Sequence, residues 1–201
     1  MSKKSMWSLN LTTASLVLIP VAVGINYIGK FFAGLLKLPL WLDSIGTILA
    51  GILAGPIIGA IAGAINNIIY GLTIEPISFI YGLTSIAIGL VVGILAYKGF
   101  ITGWGKAVIL GIIVVLVAVV VSTPINIYFY GGQTDNIWGD ALFVGVLSKT
   151  NSIWLASFLD ELVVDLPDKI IVTLISYALY RAMPKNLLQL YSNKNEIEEL
   201  K

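Results

Sequence analysis

A carboxylate or an amide inside an apolar segment has to be held by something, and this chain places several there. Asp160, Glu161, Asp165, Asp168 and Lys169 fall within one short, otherwise apolar stretch near the C-terminal end. Ionisable groups in or beside a membrane-type span are expensive to place there, so they are functional candidates by default. Asn26, Asn66, Asn67 and Asn126 lie in or at the ends of other apolar runs. A buried amide without partners costs roughly 2–7 kcal/mol, so such groups bond one another or line a site. Asn66 and Tyr70 are four residues apart and share a helix face. Asp43, Glu75, Asp135 and Asp140 stand between the apolar runs. The chemistry these residues offer is recognition, with amides and carboxylates fixing the polar edge of a small molecule and aromatic side chains stacking on its ring.

Catalysis finds little support. The chain has no cysteine and no histidine, which excludes thiol chemistry, disulfides, the usual zinc sites and imidazole acid–base work. It also argues against nickel or cobalt as the bound species, since those ions favour imidazole ligands. The segment GINYIGKF has the glycine–lysine spacing of a phosphate-binding loop, but Phe31 stands where Ser or Thr is required. No HExxH or GxSxG motif occurs. An intramembrane aspartyl protease needs two aspartates at depth on facing helices, and the middle apolar runs carry none. No catalytic residue, metal ligand or cofactor of its own is expected, and the chain reads as a non-enzyme.

The elements that must position these groups are membrane helices. Of 201 residues, 58% are apolar and 11% charged, and the mean hydropathy is +0.95. A soluble domain carries about a quarter charged residues, so the bilayer is the natural solvent for most of this chain. A net charge of +1 with scattered basic residues gives no footprint for nucleic acid. The pattern predicts an all-α integral membrane domain over residues 1–185, with six spans at about 7–29, 41–54, 56–72, 77–97, 107–130 and 166–183, and a cytoplasmic tail over 186–201. The basic, apolar N-terminus reads as a retained first span, because its apolar run is long and no small-x-small cleavage site follows. Pro20 kinks that span, and residues 30–43 read as an ordered loop or an interfacial helix. Gly55–Pro56 splits the next run, since glycine suits a helix end and proline a first turn. The second span is then only ~21 Å long, so it is tilted or packed inside protein. Gly51, Gly55, Gly59 and Gly63 recur every fourth residue, a stripe that lets helices two and three pack closely. In the last region, Asp165 is placed as the N-cap of helix six, with Asp168 at its favourable dipole end and Lys169 in pairing range. The alternative puts Asp160, Glu161 and this helix start against a ligand cavity, and both can hold at once.

Six spans put both termini on one side. With the termini inside, the inner segments hold Lys3, Lys4, Lys98, Lys106, Arg181, Lys185, Lys194 and Lys201, against Lys30, Lys37, Lys149 and Lys169 outside. The excess assigns the terminal side to the cytoplasm. Most acids then map to the outer half, and an acidic mouth concentrates a cationic or amine-bearing ligand.

The stretch GINYIGKFFAGLLKLPLWLDSIGTILAGILAGPIIGAIAGAINNIIYGL and the later VVDLPDKIIVTLISYALYRAMPK resemble the substrate-binding S components of energy-coupling factor (ECF) importers. The most specific pieces are LPLWLDSIGT, the Gly-Pro break and LPDK, and with the six-span plan the resemblance covers nearly the whole chain. It implies an S-component-like bundle in a bacterial cell membrane that captures a small water-soluble nutrient, a vitamin or related precursor, at the outer face. The loops that cover the substrate in that family correspond here to residues 30–43, 73–76 and 131–151. It further implies docking on a membrane T component driven by two cytoplasmic ATPases, which use the ATP. The binding residues expected on this reading are Asn26, Trp41, Asp43, Asn66, Tyr70, Glu75, Asn126, Asp160, Asp165 and Lys169. The family docks through an AxxxA motif on helix one; here Ala14, Leu18 and Ala22 share a face, and Leu18 departs from the pattern. A membrane sensor that signals ligand to a cytoplasmic partner, without transport, is the alternative.

Overall fold

The computed structural model describes residues 12–191. It is all helical, with 81% of the described residues in helix and no strand among them. Expectations that fall on Trp7, Lys3, Lys4, Lys194, Lys201 and most of the tail lie outside the described residues.

Helix α1 (Thr13–Leu35) starts at Thr12, whose side chain accepts a hydrogen bond from the Ser15 amide and so satisfies one free helix-end donor. It runs six residues beyond the expected end at Gly29. The lysine taken to break the helix does not: the Lys30 ammonium donates to Ser78 Oγ at 2.7 Å, so its charge is held within the bundle. Helix α2 (Ile45–Ala54) and helix α3 (Pro56–Thr73) meet at Gly55, whose φ of 87° suits glycine and breaks the run at the expected place. Helix α4 (Ser78–Tyr97) and helix α5 (Trp104–Tyr130) follow. The long connection after α5 contains a helix of its own, α6 (Ile137–Thr150), opened by Asn136, which caps the Trp138 amide. Helix α7 (Ile153–Ala182) and a single turn, α8 (Lys185–Leu188), complete the order.

Helix α7 corrects the expected start of the last span. It is one 30-residue helix with Pro167 inside it, so Asp165 is not an N-cap and Asp168 does not sit at a helix dipole end. Proline removes one helical donor, and in a packed membrane bundle neighbouring groups compensate. The cap-like spelling was local; the rest of the bundle holds the helix straight through it. The carboxylates therefore project from the middle of α7.

Helices α1, α3, α4 and α5 are each long and apolar enough to cross a membrane. Helix α2 has 10 residues, and α7 carries Asp160, Glu161, Asp165, Asp168, Lys169 and Arg181. Apolar side chains such as Val17, Val21, Ile28, Leu116 and Val120 face outward, while Asn26, Thr47, Asn66, Asp160, Asp168 and Thr173 are buried. That inversion is what a lipid solvent dictates: apolar groups outside need no water, and polar groups are turned within. The chain is a multi-pass helical membrane protein.

The short helix α2 lies at the centre. Eight of its ten residues are buried, and it joins two apolar clusters. Ile45 and Ile48 pack with Ile88, Val92, Leu110, Val114 and Val172, while Leu49, Ala50 and Leu53 pack with Leu18, Ala22, Ile58 and Ala62. The glycine stripe serves this packing. A Cβ on Gly59 would meet the backbone of Gly51 and Gly89, and one on Gly63 would meet Ser85. Two of the three α1 residues expected to dock a partner pack within the bundle, and the third, Ala14, is half-buried. Leu18 and Ala22 are buried against α2, a Cβ on Gly46 would strike the Ala22 backbone, and the Ala14 carbonyl accepts from the Tyr191 hydroxyl at 3.4 Å.

Candidate functional site

The polar side chains of α7 meet two connections at one end of the bundle. Lys169 is the hub. Its Nζ lies 2.7 Å from Asp168 Oδ2, 3.1 Å from Asp43 Oδ1 and 3.5 Å from Asp165 Oδ1, with its side chain almost wholly buried. The other oxygen of Asp168 accepts the backbone N–H groups of Trp41 at 3.1 Å and Leu42 at 2.9 Å. That carboxylate straps the α1–α2 connection onto α7. Leu42 holds a left-handed φ of 52° there, a conformation that costs a non-glycine residue about 1–3 kcal/mol and persists only where its surroundings over-determine it. Asp43, in this connection, also accepts from Ser44 Oγ at 2.7 Å. Burial pushes its carboxyl up, but the Lys169 and Lys30 ammoniums and the Ser44 hydroxyl outweigh that and hold it below its ordinary value.

One turn before Asp165 on α7, Glu161 Oε2 accepts from Asn126 Nδ2 at 3.0 Å, and Asn126 in turn accepts from the Tyr81 hydroxyl. The Tyr81 ring stacks on Tyr130. Asp160 points the other way, accepting from Thr134 Oγ1 at 2.8 Å, while Asp140 takes the Thr134 amide at 3.0 Å. These bonds fix the α5–α6 connection. From α1, Lys30 lies 3.9 Å from Glu75 and 4.3 Å above the Tyr70 ring, a cation–π contact.

These groups enclose a cavity of about 70 Å³ whose wall includes Lys30, Trp41, Asp43, Glu75, Tyr81, Asp135, Glu161, Asp165 and Lys169, with the hydroxyls of Ser44, Thr84, Ser85, Ser122 and Thr134. A second cavity, of about 380 Å³, shares Lys30, Trp41, Glu75 and Asp135 with it and adds Tyr70, Lys37 and Trp138. The two cavities therefore adjoin at these four side chains; the smaller is termed the inner chamber and the larger the outer one.

No family model, curated protein or solved structure matches this chain.

Of the residues singled out from sequence, Trp41, Asp43, Glu75, Asp165 and Lys169 line the inner chamber, and Tyr70 lines the outer one. Asn126 stands one bond behind the wall, through Glu161 and Tyr81. Asp160 is behind it too, through Thr134. Asn26 and Asn66 line neither cavity. Asn26 instead fastens α1 to α2, accepting from the Gly46 amide at 2.6 Å and donating to Thr47 at 2.8 Å. Asn66 is buried on α3, and its Oδ1 has no hydrogen-bond partner among the described residues.

Sequence reasoning left Lys30, Tyr81, Asp135 and Glu161 out of the expected binding set. A signal existed for Lys30, a lone charge closing an apolar run, and for Glu161, one position from Asp160. Nothing local distinguishes Tyr81 from any interfacial tyrosine. Among the described residues, no group of three His, Cys, Asp or Glu side chains is placed to hold a metal ion. The arrangement offers fixed charges, amides and hydroxyls around a small enclosed space, which suits binding and orienting a polar molecule.

Proposed function

We propose that this chain is the substrate-binding S component of an ATP-driven ECF-type importer for a small water-soluble nutrient, a vitamin or related precursor. On this reading α1, α2, α3, α4, α5 and α7 are the six spans, both termini are cytoplasmic, and the cavity end faces outward from a bacterial cell membrane. One observation carries it. The inner chamber is walled by Trp41, Asp43 and Ser44 from the α1–α2 connection, Glu75 and Ile77 from the α3–α4 connection, and Thr134 and Asp135 from the α5–α6 connection. These are the connections that the family resemblance makes the cover of the substrate. A polar chamber closed by three loops at one end of an apolar bundle is what capture from water requires. Delivery to the cytoplasm would then fall to a T component and its two ATPases.

The test is to purify the chain in detergent, denature it and identify any released small molecule by mass spectrometry, with copurification against a T component in parallel. A single stoichiometric nutrient, weakened in binding by Asp165→Asn, is the expected result. A chain that carries nothing, ignores a panel of vitamins in thermal-shift assays and fails to bind a T component would refute the importer reading and favour a ligand sensor.

A further inference from the structure

The inner chamber is unbalanced in charge. Its wall carries five acidic side chains, Asp43, Glu75, Asp135, Glu161 and Asp165, against two basic ones, Lys30 and Lys169. Lys169 is not free to neutralise them, because it is shared among Asp43, Asp165 and also Asp168 behind the wall. Lys30 faces Glu75. Glu161 makes no ion pair among the described residues and is held only by neutral groups, the amide of Asn126 and the hydroxyl of Ser122. Asp165, four residues on and therefore on the same face of α7, is 1% exposed, and its Oδ2 has no hydrogen-bond partner among the described residues. A buried carboxylate oxygen left without a donor is costly unless something else supplies one.

Resting on the reading of this chamber as a ligand site, we propose that its occupant is an organic cation whose protonated amine or amidine-type group sits between Glu161 and Asp165, beside the rings of Trp41 and Tyr81. Such a group carries N–H donors for the free oxygen of Asp165 and for Glu161, and supplies the missing positive charge. Aromatic ring faces also attract cations, which a hydrated inorganic ion exploits less well than a desolvated organic one. The size of the two cavities divides the ligand: a chamber of about 70 Å³ takes the cationic group, and the adjoining space of about 380 Å³, walled by Trp41, Tyr70 and Trp138, takes the rest.

Three near-isosteric probes test this: benzamidinium, benzamide and benzoate, each at matched ionic strength against NaCl, read as thermal shift of the purified full chain. Benzamidinium is expected to raise the unfolding midpoint dose-dependently, while benzamide, benzoate and NaCl do not. Glu161→Gln and Asp165→Asn each remove one carboxylate charge while keeping the shape, and each should weaken benzamidinium by about thirtyfold or more. Two variants are used so that one can report if the other fails to fold. An equal shift by benzamide, benzoate or NaCl overturns the assignment, as does no shift with any probe, or undiminished benzamidinium binding in the folded variants. A copurifying nutrient that is neutral or anionic would also overturn the cation assignment, yet leave the importer reading standing. A selective benzamidinium response in a chain that neither carries a nutrient nor docks a T component would do the reverse.

Discussion

Replacing Lys169 by methionine keeps the stem that packs in the bundle and deletes the charge. Three carboxylates, Asp43, Asp165 and Asp168, lie within 3.5 Å of the lost ammonium, and two of them are essentially inaccessible to water. Removing one partner of a buried pair costs about 3–5 kcal/mol, because the remaining charge has neither water nor a counter-ion. The low end is the appropriate figure here, since Asp168 keeps the Trp41 and Leu42 amides as donors and a crowded carboxylate can take up a proton. For a chain of this size about 1 kcal/mol moves the midpoint by 2–4 °C, so Lys169→Met should lower it by roughly 10 °C. Tryptophan fluorescence during heating in detergent reads this directly. The double variant Lys169→Met with Asp168→Asn should recover part of the loss. It removes one uncompensated charge while leaving a side-chain oxygen to accept from the Trp41 and Leu42 amides. If Lys169→Met unfolds within about 1 kcal/mol of the parent, or if adding Asp168→Asn makes matters worse by its full single-variant cost, the hub does not hold this end of the bundle as argued.

Two further perturbations follow from the same structure. Gly46→Ala should destabilise by about 1–3 kcal/mol or more, because its Cβ would meet the Ala22 backbone. Gly24→Ala on α1, whose Cβ meets nothing within 4 Å, should be neutral or stabilise by up to about 1 kcal/mol; equal effects in thermal unfolding would contradict the close α1–α2 packing. The Asp43 carboxyl, held below its ordinary value, contributes stability that is fully present above about pH 4 and is lost as the pH falls through the folded value. Asp43→Asn should therefore flatten the acid limb of a midpoint-against-pH curve below about pH 4, and a limb identical to the parent's would show that Asp43 is not the group responsible.

Much of this protein is written locally. The scarcity of charge and the apolar runs require a lipid solvent, since no water-facing surface can be built from 11% charged residues. The Gly55–Pro56 break is equally local, because only backbone preferences at that dipeptide are involved. The concentration of acids between Asp160 and Asp168 marked α7 as the element with something to hold. Where local spelling competed with packing, packing won. Asp165 before Pro167 spells a helix start, yet α7 runs through both. Lys30 spells a helix end, yet α1 continues because Glu75, in the α3–α4 connection, and Ser78, at the start of α4, receive its ammonium. Ala14, Leu18 and Ala22 share a face in any helix, but which way the face points depends on α2, and Gly46 draws it inward. The chamber itself was decided only by the tertiary structure. Its wall joins Asp43 to Lys169 across 126 positions of chain and places Tyr81 beside Glu161 through Asn126. No periodicity or motif encodes such convergence, because it depends on how α1, α3, α4, α5 and α7 pack around the short, buried α2 rather than on the residues next to each group in sequence.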